Sequence, residues 1–172
     1  MAAGLMERTP DLWLSRSWTT RPRRVSDDPD AYVFVDRAAF EAERDAGGFL
    51  EWAEVFGNLY GTPVPAPPPD SDLLLEIDVQ GAAQVKRLRP DAVVVCVRAP
   101  SRAAQEERLR KRGDPKAVIA RRMALADHVV VNDDLGRAIE EVTGILAMHR
   151  ARRSGPQPPP EPPEPPHEAS PE

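Results

Sequence analysis

The chain has 172 residues and a formal net charge of −5, with 41% hydrophobic and 30% charged residues. These proportions are typical of a folded globular domain, and the length allows one hydrophobic core but excludes a second. The single cysteine, Cys96, excludes a disulfide within the chain, so we expect a reducing compartment. No apolar run reaches the length of a membrane span and no signal-peptide pattern opens the chain, so we expect a cytoplasmic protein.

Basic residues are concentrated in two short clusters, Arg21–Arg24 and Arg108–Arg122, whereas the end of the chain is acidic. Local clusters of this kind favour a small anionic ligand over binding to nucleic acid or to a membrane surface.

The first part of the chain predicts helices and strands in alternation. Residues 2–8 resemble the last turns of a helix that ends before Pro10. Asp36 is placed to cap a second helix, which the following Gly47-Gly48 pair would end. We expect two strands over 12–17 and 32–35, and the second helix over 37–45.

The middle and the end of the chain predict an α/β fold. Residues 49–55 and 60–62, with a turn at Gly57-Asn58, indicate a small antiparallel unit. Three apolar runs, 73–77, 93–97 and 128–131, are typical of strands buried on both faces of a parallel sheet. A helix is expected over 135–150, with its apolar face formed by Ile139, Val142, Ile145 and Leu146.

Two proline-rich segments interrupt this pattern. Residues 63–69 contain five prolines and predict a stiff connector, because no helix can form there. Residues 154–172 contain nine prolines and four glutamates with almost no apolar side chains, so we expect a disordered tail. The foldable domain is therefore expected over 1–153.

The loop Ser17–Arg24 combines hydroxyl groups with three arginines. Because the planar guanidinium group matches phosphate oxygens, Arg21 and Arg24 are a candidate phosphate clamp. A simply solvated loop is the competing interpretation.

Glu51 lies in an apolar, aromatic segment, where a carboxylate is costly to bury without donors. It is suited to a ligand with two adjacent N–H groups, such as the Watson–Crick edge of guanine. Ser17 or Thr62 is placed to donate to the guanine O6, and Tyr32 and Tyr60 to donate to phosphate oxygens. The alternative is that both tyrosines simply pack in a core.

Glu76 and Asp78 are two residues apart on a predicted strand, which places them on one face at its carboxyl end. Two carboxylates there are suited to hold Mg²⁺ through waters or to orient a clamp arginine. A structural pairing with nearby arginines is the equal alternative.

Taken together, these segments resemble the successive motifs of guanylate kinases, in that family's order, over roughly residues 2–150. The matching segments are 17–21, 32–35, 49–54, 57–62, 75–81, 99–101, 108–113 and 131–134. The family makes GDP from GMP and ATP on a P-loop α/β fold. That fold carries a GMP-binding subdomain, here about residues 19–72, and an arginine-bearing lid, here about 101–127.

The resemblance also implies roles for individual residues. The guanine contacts would be Ser17, Glu51 and Thr62, and the GMP phosphate would be held by Arg21, Arg24, Tyr32 and Tyr60. Asp78 would lie near the phosphate-transfer site with Glu76 beside it, and Asn132 would lie near the adenine pocket. The lid arginines would be Arg108, Arg112 and Arg122.

The 172 residues depart from the family pattern at the ATP site. They contain no Gly-x-x-x-x-Gly-Lys-[Ser/Thr] loop, and Lys86, Lys111 and Lys116 all lie outside any glycine-rich strand-to-helix turn. We therefore expect a P-loop-kinase-like parallel sheet without its first strand and P-loop, plus the small α+β subdomain. One residue is also missing between Arg24 and Tyr32, and the lid is shortened.

Three functional hypotheses follow. The first is a GMP-binding protein whose kinase activity is weak or absent because its ATP site is not intact, with Mg²⁺ entering only with nucleotide. The second is an interaction module that receives a phosphoprotein. The third is an active guanylate kinase whose P-loop is encoded upstream in frame. A separate strand-donating protein partner is a further expectation, because the missing strand would leave unpaired edges.

Overall fold

The computed structural model describes residues 1–25, 27–101 and 124–154. The helices are α1 (Ala2–Arg8), α2 (Arg37–Asp45), α3 (Val79–Leu88) and α4 (Leu135–Ser154). The strands are β1 (Leu12–Leu14), β2 (Trp18–Thr19), β3 (Val33–Phe34), β4 (Phe49–Val55), β5 (Asn58–Pro63), β6 (Asp72–Leu74), β7 (Val95–Arg98) and β8 (His128–Val131). Among the described residues, no helix is both long and apolar enough to cross a membrane.

A four-stranded sheet forms the small antiparallel unit expected from the sequence. Its order is β3-β2-β5-β4, with β2 and β3 parallel and the other neighbours antiparallel. The hairpin between β4 and β5 turns through Phe56 and Gly57, both at positive φ. Helix α2 covers this sheet through Phe40, which is fully buried and stacks on Phe49 with ring centroids 4.5 Å apart.

The capping signals around α2 act as expected. The Asp36 side chain accepts a hydrogen bond from the backbone N–H of Ala39 at 2.7 Å, and the helix begins at Arg37. Gly47 follows the end of the helix at φ 75°, a left-handed conformation that glycine adopts without a Cβ penalty. Both helix boundaries therefore match the sequence prediction.

The remaining strands form two separate parallel pairs, β1 with β6 and β7 with β8. No ladder joins the two pairs in the part of the chain that the structure describes. The prediction that these strands are buried on both faces is wrong, since Val97 and Val129 are 44% and 37% exposed. Strands in a parallel sheet are buried on both faces only where helices pack against both sides of the sheet, and the described helices leave these side chains uncovered. Strand β6 also ends at Leu74, three residues earlier than the apolar run predicts.

Helix α4 contacts both parallel pairs. Ile139 packs in a buried cluster with Leu5 of α1 and Leu12 of β1, and Leu74, Val142 and Leu146 surround that cluster. Toward the other pair, the Nε2 atoms of His128 in β8 and His149 in α4 are 2.9 Å apart. The helix is therefore the common support of two sheets that share no hydrogen bonds in the described residues.

Polar contacts add to this support at β6. The carboxylate of Asp72 accepts hydrogen bonds from Arg150 and Arg153 of α4, and the Asp72 side chain is 14% exposed. Burial alone would raise the pKa of Asp72, but the hydrogen bonds from Arg153 and Arg150 outweigh burial and lower it.

We expect Asp72→Asn to lower the free energy of unfolding by about 1–2 kcal/mol at pH 7, a value discounted for the exposure of Arg153. Because the pKa of Asp72 is lower in the folded state, its stabilisation is fully present above the unfolded pKa of about 3.9. It is lost as the pH falls through the lowered folded pKa. In urea melts of both proteins from pH 7 to pH 3, the difference in the free energy of unfolding should therefore be constant at first and shrink once the pH falls below about 3.9.

The matched control is Asp91→Asn, since Asp91 pairs with Arg89 and both side chains are 68% exposed. Surface pairs of this kind contribute little, so we expect Asp91→Asn to cause no measurable change in the free energy of unfolding at either pH. An equal loss in both variants would show that Asp72 does not anchor α4.

Candidate functional site

A buried carboxylate lies between β4 and β5. Glu51 on β4 is directly opposite Thr62 on β5, and the Thr62 hydroxyl donates a 2.6 Å hydrogen bond to Oε1 of Glu51. The two residues are 5% and 0% exposed. Burial raises the pKa of Glu51; the Thr62 hydrogen bond opposes this effect, and the nearby charge of Asp78 adds to it. The Thr62 backbone N–H also lowers the pKa, as the smallest of these effects, and both donors come from Thr62, so much of the acceptor capacity of this carboxylate is left for other N–H or O–H groups.

Asp78 and Glu76 follow β6, and the prediction that both lie on one face of a strand is wrong. The chain leaves the ladder at Leu74, and Asp78 becomes the N-cap of α3. Its Oδ1 accepts from the backbone N–H groups of Gln80 and Gly81 at 3.0 and 2.9 Å. Glu76 is exposed, and its charge contributes to the raised pKa of Tyr32. The two carboxylates therefore lie near different parts of the site.

Arg21 is the centre of a second cluster, next to β2. Its guanidinium donates to both carboxylate oxygens of Asp27, at 3.0 and 3.1 Å, and its side chain is only 10% exposed. Asp27 also accepts a 2.7 Å hydrogen bond from the backbone N–H of Arg24, whose side chain is exposed. The hydrogen bond from Arg21 lowers the pKa of Asp27, so this carboxylate is ionised at neutral pH. Arg21 thus already holds an oxygen anion in a two-point contact.

Aromatic rings surround this guanidinium. Its central carbon lies 5.7 Å from the ring centre of Tyr32 and 5.6 Å from that of Phe34. Tyr60 completes the group, with its ring centroid 6.1 Å from that of Tyr32. Burial raises the pKa of Tyr32, so its phenol remains protonated and able to donate a hydrogen bond. Arg21, Tyr32 and Tyr60 are therefore brought together as the sequence predicts.

The hydroxyl groups before Arg21 hold its strand in place. Thr19, fully buried, donates to the Leu59 carbonyl at 3.0 Å and accepts from the backbone N–H of Arg21 at 3.1 Å. The Thr20 hydroxyl accepts from the Leu59 N–H at 2.9 Å. Ser17 is also buried, at 9% exposure. Sequence reasoning missed Asp27 and Thr19, and their only signal was the mixture of hydroxyl, acidic and basic residues in one loop.

The other predicted site residues lie away from these two clusters or outside the residues that the structure describes. Asn132 follows β8, where its backbone N–H donates to the Arg98 carbonyl at 2.8 Å. It thus belongs to the second parallel pair. The predicted lid arginines, Arg108, Arg112 and Arg122, lie outside the described residues, as does nearly all of the predicted tail.

No group of three or more metal-ligating side chains is found in the described ranges. Mg²⁺ that arrives with a nucleotide needs only one or two carboxylates, because phosphate oxygens and waters complete its shell. Asp78 fits this requirement in part, since its Oδ2 contacts only the Gln80 amide, at 3.3 Å, among the hydrogen bonds resolved here. Glu76, the other carboxylate predicted for this role, is exposed and lies near Tyr32 instead.

Comparisons with known proteins agree on one family. The family model described as guanylate kinase matches residues 4–149. The guanylate kinase of Chromobacterium violaceum is 43% identical over 173 aligned positions, which cover 91% of this chain and 82% of that protein. The guanylate kinase of Carboxydothermus hydrogenoformans is 40% identical, with 86% and 80% covered.

A solved structure gives the same result for the fold. The crystal structure of guanylate kinase from Anaplasma phagocytophilum superposes with a TM-score of 0.74 at 30% sequence identity. The match covers 89% of this chain and 82% of that one. On the family model, the sequence identity and the shared fold, the chain belongs to the guanylate kinase family.

Proposed function

We propose that this chain binds GMP and that it phosphorylates GMP weakly or not at all. The observation that carries the first part is the buried Glu51–Thr62 pair, which lies in the same small sheet as the Arg21 cluster. The Glu51–Thr62 pair matches a base with two adjacent N–H donors, and the Arg21 cluster matches a phosphate monoester. The chain belongs to the guanylate kinase family, and this membership supports the proposal that the two groups form the GMP half of its site.

Guanine recognition follows from the cost of burying Glu51. Burial raises the pKa of Glu51, and hydrogen bonds from Thr62 alone only partly offset this cost, so the carboxylate retains unused acceptor capacity. The N1–H and the exocyclic N–H of guanine point in the same direction and would satisfy both oxygens. Adenine presents an acceptor at N1, so it would leave Glu51 unmatched. The same burial that destabilises the unbound carboxylate therefore provides the selectivity.

Phosphate recognition follows from an exchange of anions at Arg21. Asp27 already makes the two-point contact that a phosphate would make. A phosphate dianion has more charge and more acceptor oxygens than a carboxylate, and it would also accept from Tyr32 and Tyr60. We infer that the GMP phosphate displaces Asp27 from Arg21, so that the buried guanidinium is paired in both states.

The proposal of weak phosphorylation rests on the absence of a P-loop motif within these 172 residues. Phosphoryl transfer depends mainly on positioning and on electrostatic stabilisation of ATP and its Mg²⁺, which the loop's backbone N–H groups, lysine and hydroxyl provide. The division of the parallel strands into two unjoined pairs supports the related proposal that a strand, from a partner or from a longer chain, completes the sheet.

The first test is calorimetric titration of the protein with GMP and with AMP. We expect GMP to bind at least about tenfold more tightly, since an unmatched buried acceptor costs about 1–3 kcal/mol. Glu51→Gln should remove this preference, because the amide offers only one acceptor oxygen. Equal affinities, or no binding of either nucleotide by the unmutated chain, would reject GMP recognition and favour a phosphopeptide as the ligand of the Arg21 cluster.

Glu51→Gln should weaken GMP binding without lowering the stability of the protein. Because the pKa of Glu51 is higher in the folded state than in the unfolded state, the ionised form costs stability at neutral pH. That cost shrinks as the pH falls through the raised folded pKa, and it is gone below the unfolded pKa of about 4.3. Glu51→Gln should therefore leave the free energy of unfolding unchanged or raised at pH 7 while it weakens GMP binding.

We expect Arg21→Ala to weaken GMP binding by about 1.5–3 kcal/mol, roughly 10- to 150-fold, because a charge-assisted phosphate contact is lost. Guanosine, which lacks the phosphate, should bind both proteins equally. Arg23→Ala is the control, since Arg23 is exposed in the same loop. A parallel loss of GMP and guanosine affinity would mean that the variant had disturbed the loop itself.

We expect the chain, purified as its 172 residues, to form GDP from GMP and ATP far more slowly than a competent kinase. Unanchored ATP forfeits a proximity advantage of about 7–11 kcal/mol. A coupled assay for GDP measures the rate, and a fusion that adds an N-terminal strand and P-loop serves as the positive control. Turnover of several per second by the unfused chain would refute the proposal.

A further inference from the structure

Gly81, the third residue of α3, lies directly against the Glu51 carboxylate. A Cβ built on Gly81 would be 2.2 Å from Oε2 of Glu51 and 2.8 Å from its Cδ. Real Cβ atoms do not approach other heavy atoms this closely, so any side chain at position 81 requires Glu51 to move. No positive φ is involved, and the requirement for glycine here is one of space alone.

Helix α3 cannot easily withdraw to make this space. The Gln84 amide donates to the Trp52 carbonyl at 2.7 Å, and the Gln80 amide contacts the Glu54 carbonyl at 3.4 Å. These bonds tie the helix along β4, the edge strand of its sheet. Asp78 fixes the start of the helix by capping Gly81 and Gln80.

We propose that Gly81 is a positioning residue for guanine recognition, because its lack of a side chain leaves the space that Oε2 of Glu51 occupies, while the Thr62 hydroxyl binds Oε1. This inference rests on the proposed function and deepens it. With Oε1 bound by Thr62 and Oε2 in contact with α3, the carboxylate is held in one orientation before the base arrives. A preorganised acceptor pair binds a rigid donor pair without loss of side-chain freedom on binding.

Replacement of Gly81 by alanine should leave the fold intact. Alanine favours a helix over glycine, and the two atoms closer than 3 Å belong to the far end of the Glu51 side chain. The third neighbour, Cβ of Ile77 at 3.3 Å, would have to give by only a few tenths of an ångström. At Gly61, by contrast, an added Cβ would meet the core rings of Phe40 at 2.9 Å and Phe49 at 3.0 Å. Gly81→Ala is thus a variant in which Glu51 is displaced and the core is untouched.

The experiment compares Gly81→Ala with Gly144→Ala, the same substitution in α4, where no heavy atom lies within 4 Å of the added Cβ. We expect Gly81→Ala to weaken GMP binding at least about tenfold and to change AMP binding less than about threefold, because only the guanine contact is displaced. Gly144→Ala should change neither. A Gly81→Ala protein that keeps the full GMP preference overturns the inference while the proposed function stands.

A double-variant cycle separates positioning from general damage. If Gly81 acts only through Glu51, the Gly81→Ala and Glu51→Gln double variant should bind GMP no more weakly than Glu51→Gln alone. Additive losses would show that alanine at position 81 disturbs the site by another route and would overturn the inference.

A measurement without nucleotide tests the positioning role of Gly81 separately from GMP binding. NMR titration of the Glu51 side-chain carboxyl carbon reports its environment directly. We expect Gly81→Ala to shift this titration midpoint, since the carboxylate leaves its contact with Thr62 and α3, and Gly144→Ala to leave it unchanged. An unchanged midpoint in Gly81→Ala would reject the positioning role, even if the unmutated chain failed to bind GMP.

Discussion

The burial of one carboxylate, Glu51, constrains most of the elements around it. The β4–β5 register places Thr62 opposite as a donor, and α3 approaches closely enough to contact the second oxygen because residue 81 is a glycine. The hairpin is in turn held by Phe40 and Phe49, which pack α2 against the sheet. A change in any of these contacts would leave an under-satisfied charge in a desolvated place, and this is costly.

The charge of Arg21, in the second polar cluster, is stabilised in a different way. Arg21 is nearly as buried as Glu51, but its charge is already matched by Asp27 within the same loop. The loop therefore contains a carboxylate, Asp27, that the phosphate of a ligand could replace at Arg21. Glu51 can bind a ligand because it has too few hydrogen-bond donors, whereas Arg21 can bind one by exchanging Asp27 for phosphate. This difference separates base selectivity from phosphate affinity in the proposed site.

The parallel strands are supported differently from the strands of the small sheet. The small sheet is continuous and well covered, whereas the two parallel pairs depend on α4, with its apolar contacts to Leu5 and Leu12 and its polar contacts to Asp72 and His128. Two-stranded sheets have little independent stability, so a long helix that supports both pairs stabilises two sheets that no ladder joins in the described residues.

Features set by near neighbours could be predicted from the sequence. The Asp36 cap, the limits of α2 and the span of β8 all matched, because capping and apolar runs act over a few residues. The β4–β5 hairpin was also expected, but its turn lies at Phe56 and Gly57, one residue before the predicted turn, and Asn58 already begins β5. The residue types of the candidate site were also recognisable, since ordered motifs carry them. The pairing of Asp27 with Arg21, the N-cap role of Asp78 and the contact of Gly81 with Glu51 appeared only in the tertiary structure. The first two are contacts within a few residues that depend on the conformation of the chain around them, whereas the third depends on how α3 packs on β4. No local pattern encodes the distance between a helix and a carboxylate thirty residues away.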